Sequence, residues 1–434
     1  MTPSPLKEDF LHFLWRTKKI PPRLQTTDGR EIEIVEFGNY NADAGPDFFN
    51  AKVRIGGTLW AGNVEMHVFT SDWSRHRHQH DNAYDNVILH VVYEADQKTG
   101  SGADIPVLEL KGKIPRHYLD HYLTLMQATA PVPCHRLISG VPKSKIGFWK
   151  YSLTAERLQA KSVLVQQILD STGFNWEETL YIMLARYFGA RVNTEPFERL
   201  ARKIPLNLVL KNKDKPLVLE ALCFGQAGML NASYQDEHYT LLRQEYEYLR
   251  KKYDLSPMDP VAWKFARMRP VNFPTIRIAQ FSDLMHRMDF LFRSISEAHG
   301  PKDVRKLLAC RAGAYWDDRY RFDTPSKEYE KSPGASFTDL LIINAVAPVL
   351  FHYGTVYNEE KFHNKAIGLL EDTKAEENSI IRHWKELGLE VNSAFDSQSL
   401  IQLRQNYCSS HACMNCRIGN EIMNANNDGQ KILA

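Results

Sequence analysis

The spacing of apolar residues changes once along this 434-residue chain, from strand-like alternation to a helical period, and that change constrains the fold more than any other feature. Between residues 31 and 110 the apolar side chains fall in short runs. EIEIVEF sets Ile32 and Ile34 on one face, NAKVRI and TLWAGNVEMHVF flank Gly56-Gly57, and VILHVVY and IPVLEL follow. Strand side chains point to alternate faces, so alternation marks a half-buried strand and a continuous apolar run marks one buried on both sides. The Gly-Gly pair suits a two-residue hairpin turn. Ahead of these runs, residues 5–18 (PLKEDFLHFLWRTK) place Phe10, Leu11, Phe13 and Leu14 on one helical face, and Pro21-Pro22 stop that helix. Beyond about residue 140 the period predicts helices over 152–170, 176–190, 215–230, 238–253, 275–298, 302–310, 337–353, 358–371 and 377–388. The expected fold is α+β, with an N-terminal mixed sheet and flanking helices over 1–125, then a larger, mostly α-helical domain over 126–434.

Charge and composition narrow the function. Lys and Arg number 54 against 52 Asp and Glu, a formal net charge of +2, so any contact with DNA or RNA must come from a local patch. The start, MTPSPLKEDFLHFLW, lacks the basic, apolar and small-residue regions of a secretory signal. The apolar stretch Leu340–Phe351 is short for a bilayer and is interrupted by Asn344 and Pro348. Six cysteines are too sparse for a disulfide scaffold. Together these features predict a soluble, cytoplasmic protein with no membrane partner, and they leave its oligomeric state open.

The stretch from Asp43 to Tyr84 carries the chemistry. On TLWAGNVEMHVF, Glu65, His67 and Phe69 share one face, while Val64, Met66 and Val68 share the other and are expected to meet the core. A turn at Gly56-Gly57 places Phe48 opposite Glu65 and Asp47 within its reach. Two carboxylates converging from adjacent strands suit Mg²⁺ or Mn²⁺, which acidifies a bound water and polarises a phosphoryl oxygen. His67 would orient that water or stabilise the departing charge; the competing reading of the trio is a structural hydrogen-bond network. In DWSRHRHQHD, helical spacing puts His76 and His80 on one face, where with His67 they would bind Zn²⁺ or Mn²⁺. His76, His78, His80 and Tyr84 otherwise read as a loop that meets phosphate. His90, on the apolar run, is expected to be a satisfied core residue. Arg267, Arg269 and Arg277, grouped around two prolines, are a second set of candidate nucleic-acid contacts.

These residues resemble the PD-(D/E)XK nuclease superfamily. Gly45-Pro46-Asp47 matches its PD element, and Glu65-Met66-His67 gives Glu-x-His where Glu-x-Lys is usual. The resemblance implies a restriction-endonuclease-like core over roughly the first 95 residues. Glu8, Asp47 and Glu65 would then hold metal, and His67 would take the lysine's place. The whole chain also resembles an uncharacterised bacterial family known only as a domain of unknown function, which implies no activity.

Near the C-terminus, YCSSHACMNCRIG spaces Cys408, Cys413 and Cys416 so closely that their sulfurs can meet one metal centre. His411 as fourth ligand would make a zinc site; Cys134 would make a four-thiolate site for zinc or an iron–sulfur cluster. Cys223 and Cys310, in apolar helical contexts, are expected to pack as small hydrophobes. The leading expectation is a metal-dependent phosphodiesterase acting on DNA or RNA. Its rivals are a non-catalytic nucleic-acid-binding or assembly protein on a nuclease-like scaffold, and a zinc hydrolase built on His67, His76 and His80.

Overall fold

The alternating runs of the first third assemble into one seven-stranded sheet. The structure, a computed structural model, describes residues 6–21, 23–97 and 105–425. It divides into two units, residues 1–149 with 403–434, and residues 150–402.

The first unit opens with α1 (Glu8–Arg16). Glu8 and Asp9 in its first turn and Arg16 in its last complement the helix dipole, and Phe10, Leu11, Phe13, Leu14 and Trp15 are all buried. The helix ends before Pro21, with Lys18 in the left-handed region at φ 57°; Pro22 lies outside the described residues. The strands are β1 (Leu24–Gln25), β2 (Glu31–Glu36), β3 (Asn39–Tyr40), β4 (Phe48–Ile55), β5 (Thr58–Phe69), β6 (Val87–Glu94) and β7 (Val107–Glu109). They lie in the order β1-β2-β4-β5-β6-β7, with β3 paired to β4. Pairing from β1 to β5 is antiparallel, whereas β6 runs parallel to β5 and β7 parallel to β6. The sheet is therefore mixed, as expected, and β5 is the strand at which its sense changes. Gly56 and Gly57 form the predicted turn, both at positive φ (56° and 88°). Val87–Val92 of β6 are buried without interruption.

Two departures bear on function. The expected hairpin register holds from Ile55↔Thr58 to Ala51↔Gly62, but a bulge then pairs Phe48 with Val64 rather than Glu65. Asn50 at the bulge adopts φ 57°, and the extra residue turns Asp47 toward Glu65. The face of β5 that bears Glu65 and His67 is also not an open surface. Glu65 is 5% and His67 1% exposed, as buried as Val64 and Met66 on the other face. The short helix α2 (Asp72–Arg75) and α1 both pack against this strand.

The expected boundary at residue 125 gives way to one inside a long helix, Lys143–Ser171. The C-terminal cysteine segment belongs to the sheet-bearing unit, where helix Arg417–Asn424 packs on α3 (Arg116–Met126). Hydrophobic periodicity marks elements but not where a chain returns to an earlier unit. The second unit is helical around one core running from Leu158 to Phe395, with Cys223 and Cys310 packed in it as expected. The predicted helix 275–298 breaks at Met288–Phe290, Phe290 being left-handed. Helix Ala335–Tyr357, broken by a π turn at Ile342–Val346 just ahead of Pro348, spans 23 residues, of which an 18-residue window has a mean hydropathy of 1.5. It is thus long and apolar enough to cross a membrane, contrary to the expectation from Leu340–Phe351 alone, and it is mostly buried within its unit.

Candidate carboxylate and imidazole site

The loop before β4 is built to present Asp47. Asn41 donates through Nδ2 to the carbonyls of Asp43, Ala44 and Pro46, its Oδ1 accepts from the Asp43 N–H, and its own N–H donates to the Asp47 carbonyl. This single side chain closes the Gly- and Asp-rich turn. The carboxylates are then pinned reciprocally across the strands. Asp47 N–H donates to Glu65 Oε2 at 3.2 Å, and Met66 N–H donates to Asp47 Oδ2 at 2.8 Å. Each acid spends one oxygen on backbone and turns the other toward imidazoles. Asp47 Oδ1 lies 3.2 Å from His12 Nε2, and Glu65 Oε1 lies 3.3 Å from His78 Nε2 and 3.5 Å from His67 Nε2.

Around His67 the rings converge. Its Nε2 is 3.1 Å from His76 Nδ1 and 3.3 Å from His78 Nε2, while its Nδ1 is 2.9 Å from His90 Nε2. His67, His76 and His78 bring three nitrogen donors within 4.8 Å of one another, and Glu65 Oε1, His67 Nε2 and His78 Nε2 lie within 3.5 Å of one another. A neutral imidazole carries one proton. If His67 gives it to His90 through Nδ1, its Nε2 lone pair faces those of the other two rings, the orientation that a hydrogen-bonded metal ligand needs. Trp73, buried, walls this group with its ring 5.1 Å from His90 and 5.4 Å from His78, and Tyr84 lies 3.8 Å from His78.

Electrostatics follow from crowding out of water. Burial first, and then the charge of Asp47, push Glu65 well above the ordinary carboxylate range. Burial and then Asp47 also raise Glu8, which places it in the same acidic group. Burial first, then the neighbouring rings of His90, His76, His78 and His12, push His67 down to about 2. Burial, then Glu65 and Asp47, lift Tyr84 to about 12. The group is not sealed, since the side chains of Asp47, His12 and His78 are 20%, 16% and 11% exposed while Glu65 keeps 6%.

The sequence-predicted residues Glu8, Asp47, Glu65, His67, His76, His78 and Tyr84 thus share one place. His80 does not join them. The expected helix stops at Arg75, Arg77 turns left-handed at φ 63°, and a 3₁₀ turn carries His78 inward and leaves His80 exposed. His90 is buried as expected, yet it serves as the partner of His67. The sequence reading missed His12, whose one signal was its position four residues after Glu8 on the same helix face. Arg277 is a correction. It is buried against Phe337 and donates to Gln280 and Asn272, so it supports its own unit rather than a nucleic acid. Arg267 and Arg269 are exposed on a loop of the second unit. His411, expected as a cysteine-site ligand, points Nε2 at the Ala128 carbonyl 3.0 Å away.

Fold and site define an α+β protein with a carboxylate–imidazole cluster on β5, the strand at which its mixed sheet changes sense. The chain belongs to the DUF2851 family, proteins of unknown function, whose profile matches residues 8–379. No curated protein and no solved structure shows significant similarity to it.

Proposed function

We propose that this cluster is a metal-dependent hydrolase centre acting on phosphodiester bonds of DNA or RNA. The observation that carries the reading is the reciprocal pinning of Asp47 and Glu65, which leaves one oxygen of each facing a ring of imidazoles. Glu65 borders both the acidic group and the His67, His76 and His78 trio, so a cation seated beside it would have oxygen and nitrogen donors at hand. Mn²⁺ accepts both kinds. Bound there, it would acidify a water and polarise a phosphoryl oxygen. Asp47 Oδ1 and His12 stand next to that seat as acceptors for the proton, and the exposed Arg77 and His80 of the same link offer phosphate contacts. The resemblance to PD-(D/E)XK nucleases drawn from Pro46-Asp47 and Glu65-x-His67 belongs to this proposal and rests on those residues alone.

The test is cleavage of single- and double-stranded DNA and RNA by the purified full chain with Mg²⁺, Mn²⁺ or Zn²⁺. Asp47→Asn and Glu65→Gln are expected to lower the rate at least ~100-fold, the scale of losing a metal-activated nucleophile. Absence of cleavage with every metal, or cleavage unchanged in both variants, would overturn the reading. A second reading, a zinc hydrolase of another substrate class, is favoured by the imidazole trio itself. It predicts tightly bound zinc and no cleavage of nucleic acid.

A further inference from the structure

Beside the carboxylates the surface carries an aromatic ring that the cluster itself does not use. Tyr40 on β3 pairs with Phe48 on β4 and so shares its face of the sheet. Its ring lies 5.4 Å from that of Phe48, which is buried, and 5.6 Å from that of His12, whose Nε2 meets Asp47 Oδ1. Tyr40 nonetheless keeps 42% of its surface in water. One turn further along α1, the exposed Arg16 sets its guanidinium 5.4 Å from the centre of the same ring. That guanidinium is anchored, since Nη2 donates to the Met414 carbonyl at 3.1 Å. His12 and Arg16, four residues apart on a helix, are separated by about 6 Å along its axis. Tyr40 therefore bridges the step from an imidazole beside Asp47 to a fixed cation on the surface.

We propose, resting on the reading that the cluster cleaves phosphodiester bonds, that its substrate is a single-stranded polynucleotide, one base of which stacks on Tyr40 while Arg16 contacts the adjoining phosphate. In a duplex each base is covered by its neighbours and offers no face to a protein ring, whereas an unpaired base does. An exposed aromatic ring next to the reactive groups thus favours unpaired strands. The reactive groups are also recessed. Glu65 and His67 keep only 6% and 1% exposure, and water reaches the cluster at Asp47, His12 and His78. A phosphate must come down to them, which a flexible strand does by bending locally and a stiff double helix does only at a cost. Arg77 and His80, exposed on the link that carries His78, add donors for the same backbone. An aromatic platform flanked by cations holds strands without regard to sequence, so strandedness and not base order is what this surface selects.

Binding separates this proposal from the hydrolase reading. The full chain carrying Asp47→Asn, in which the strand stays whole, is titrated in Mn²⁺ with labelled single-stranded DNA, single-stranded RNA and the matching duplexes, followed by fluorescence anisotropy. Single strands are expected to bind roughly 5-fold or more tightly than duplexes, the low end of one base–aromatic stack. In the same background Tyr40→Leu, which keeps Phe48 covered, is expected to weaken single-strand binding roughly 5- to 100-fold and to leave duplex binding unchanged, whereas Tyr40→Phe retains it. Arg16→Gln should lower the salt dependence by about one phosphate contact. Tyr248→Leu, at an exposed ring of the second unit, should change nothing. Equal affinity for single strands and duplexes, or single-strand binding unaltered in a Tyr40→Leu protein that melts like its parent, would overturn the proposal. Strand binding that depends on Tyr40 without cleavage by the wild-type chain in any metal would support the stacking site and overturn the hydrolase. Cleavage of single strands and duplexes at equal rates, unaltered in Tyr40→Leu, would keep the hydrolase and overturn the stacking site.

Discussion

Glu65 is a carboxylate held out of water beside Asp47 and Glu8, and in the metal-free protein that arrangement has an electrostatic cost. Its folded-state pKa lies above the unfolded one, so its contribution to stability is greatest in acid. That contribution is lost progressively as pH rises from near 4.5 through the folded value. His67 has the opposite sign. Its pKa is depressed from 6.5 to about 2, so its contribution is present above 6.5 and lost as pH falls. Of these two groups only Glu65 changes its contribution above pH 6.5, and because Lys161, lowered by burial to about 7, works the other way there, the Glu65 effect is read as the difference in thermal stability between wild type and Glu65→Gln, which should widen from pH 6.5 to 8.5. Mn²⁺ should restore more at pH 8.5 than at pH 6, since binding requires the carboxylate ionised. Glu65→Gln removes the titratable group while keeping the shape. It is expected to raise metal-free stability at pH 8 by roughly 1–3 kcal/mol and to abolish the pH-dependent effect of Mn²⁺, as read by calorimetric melting. A Glu65→Gln protein no more stable than wild type at pH 8 would show that burial sets no cost on ionising this carboxyl.

At the scale of elements, the pocket depends on how closely β5 approaches its neighbours. Gly62 lies against β6, where an added Cβ would sit 2.6 Å from the Asn86 carbonyl and 2.5 Å from Ile88 Cγ2. Gly62→Ala should therefore destabilise the unit by about 2 kcal/mol, read as a lower denaturation midpoint, with weaker Mn²⁺ binding as the carboxylates shift. An unchanged midpoint would mean that β6 yields without cost. The hairpin itself was legible, since alternation and Gly56-Gly57 set strands, turn and most of the register. The bulge was not, because Asn50 is held by the side chain of Asn63 on the partner strand, a contact that no local pattern records. The link after β5 misled for a similar reason. The spacing of His76, His78 and His80 suits a helix, but Arg77 leaves the helical region and exchanges which imidazole turns inward. Glu8, Asp47, Glu65 and His67 were legible as acids and an imidazole on predicted elements, whereas His12 becomes visible only once α1 lies against β5.

Over the whole molecule, two ligand-rich groups share the sheet-bearing unit, and α1 touches both. Its Glu8 and His12 belong to the acidic pocket, while Arg16 reaches the cysteine segment. The return of residues 403–425 to the first unit was beyond sequence reading, because the cysteine spacing suggests a metal site without indicating which unit carries it. On the proposed reading, Glu65 and Asp47 together with the imidazoles of His67, His76 and His78 seat a divalent cation. Anomalous diffraction from crystals of the full chain equilibrated with Mn²⁺ tests it most directly. The expected result is a manganese peak in bonding contact with Glu65 and at least one of these imidazoles. Full occupancy of manganese elsewhere, with the Asp47–Glu65 pair and the His67 cluster left as they stand, would contradict it.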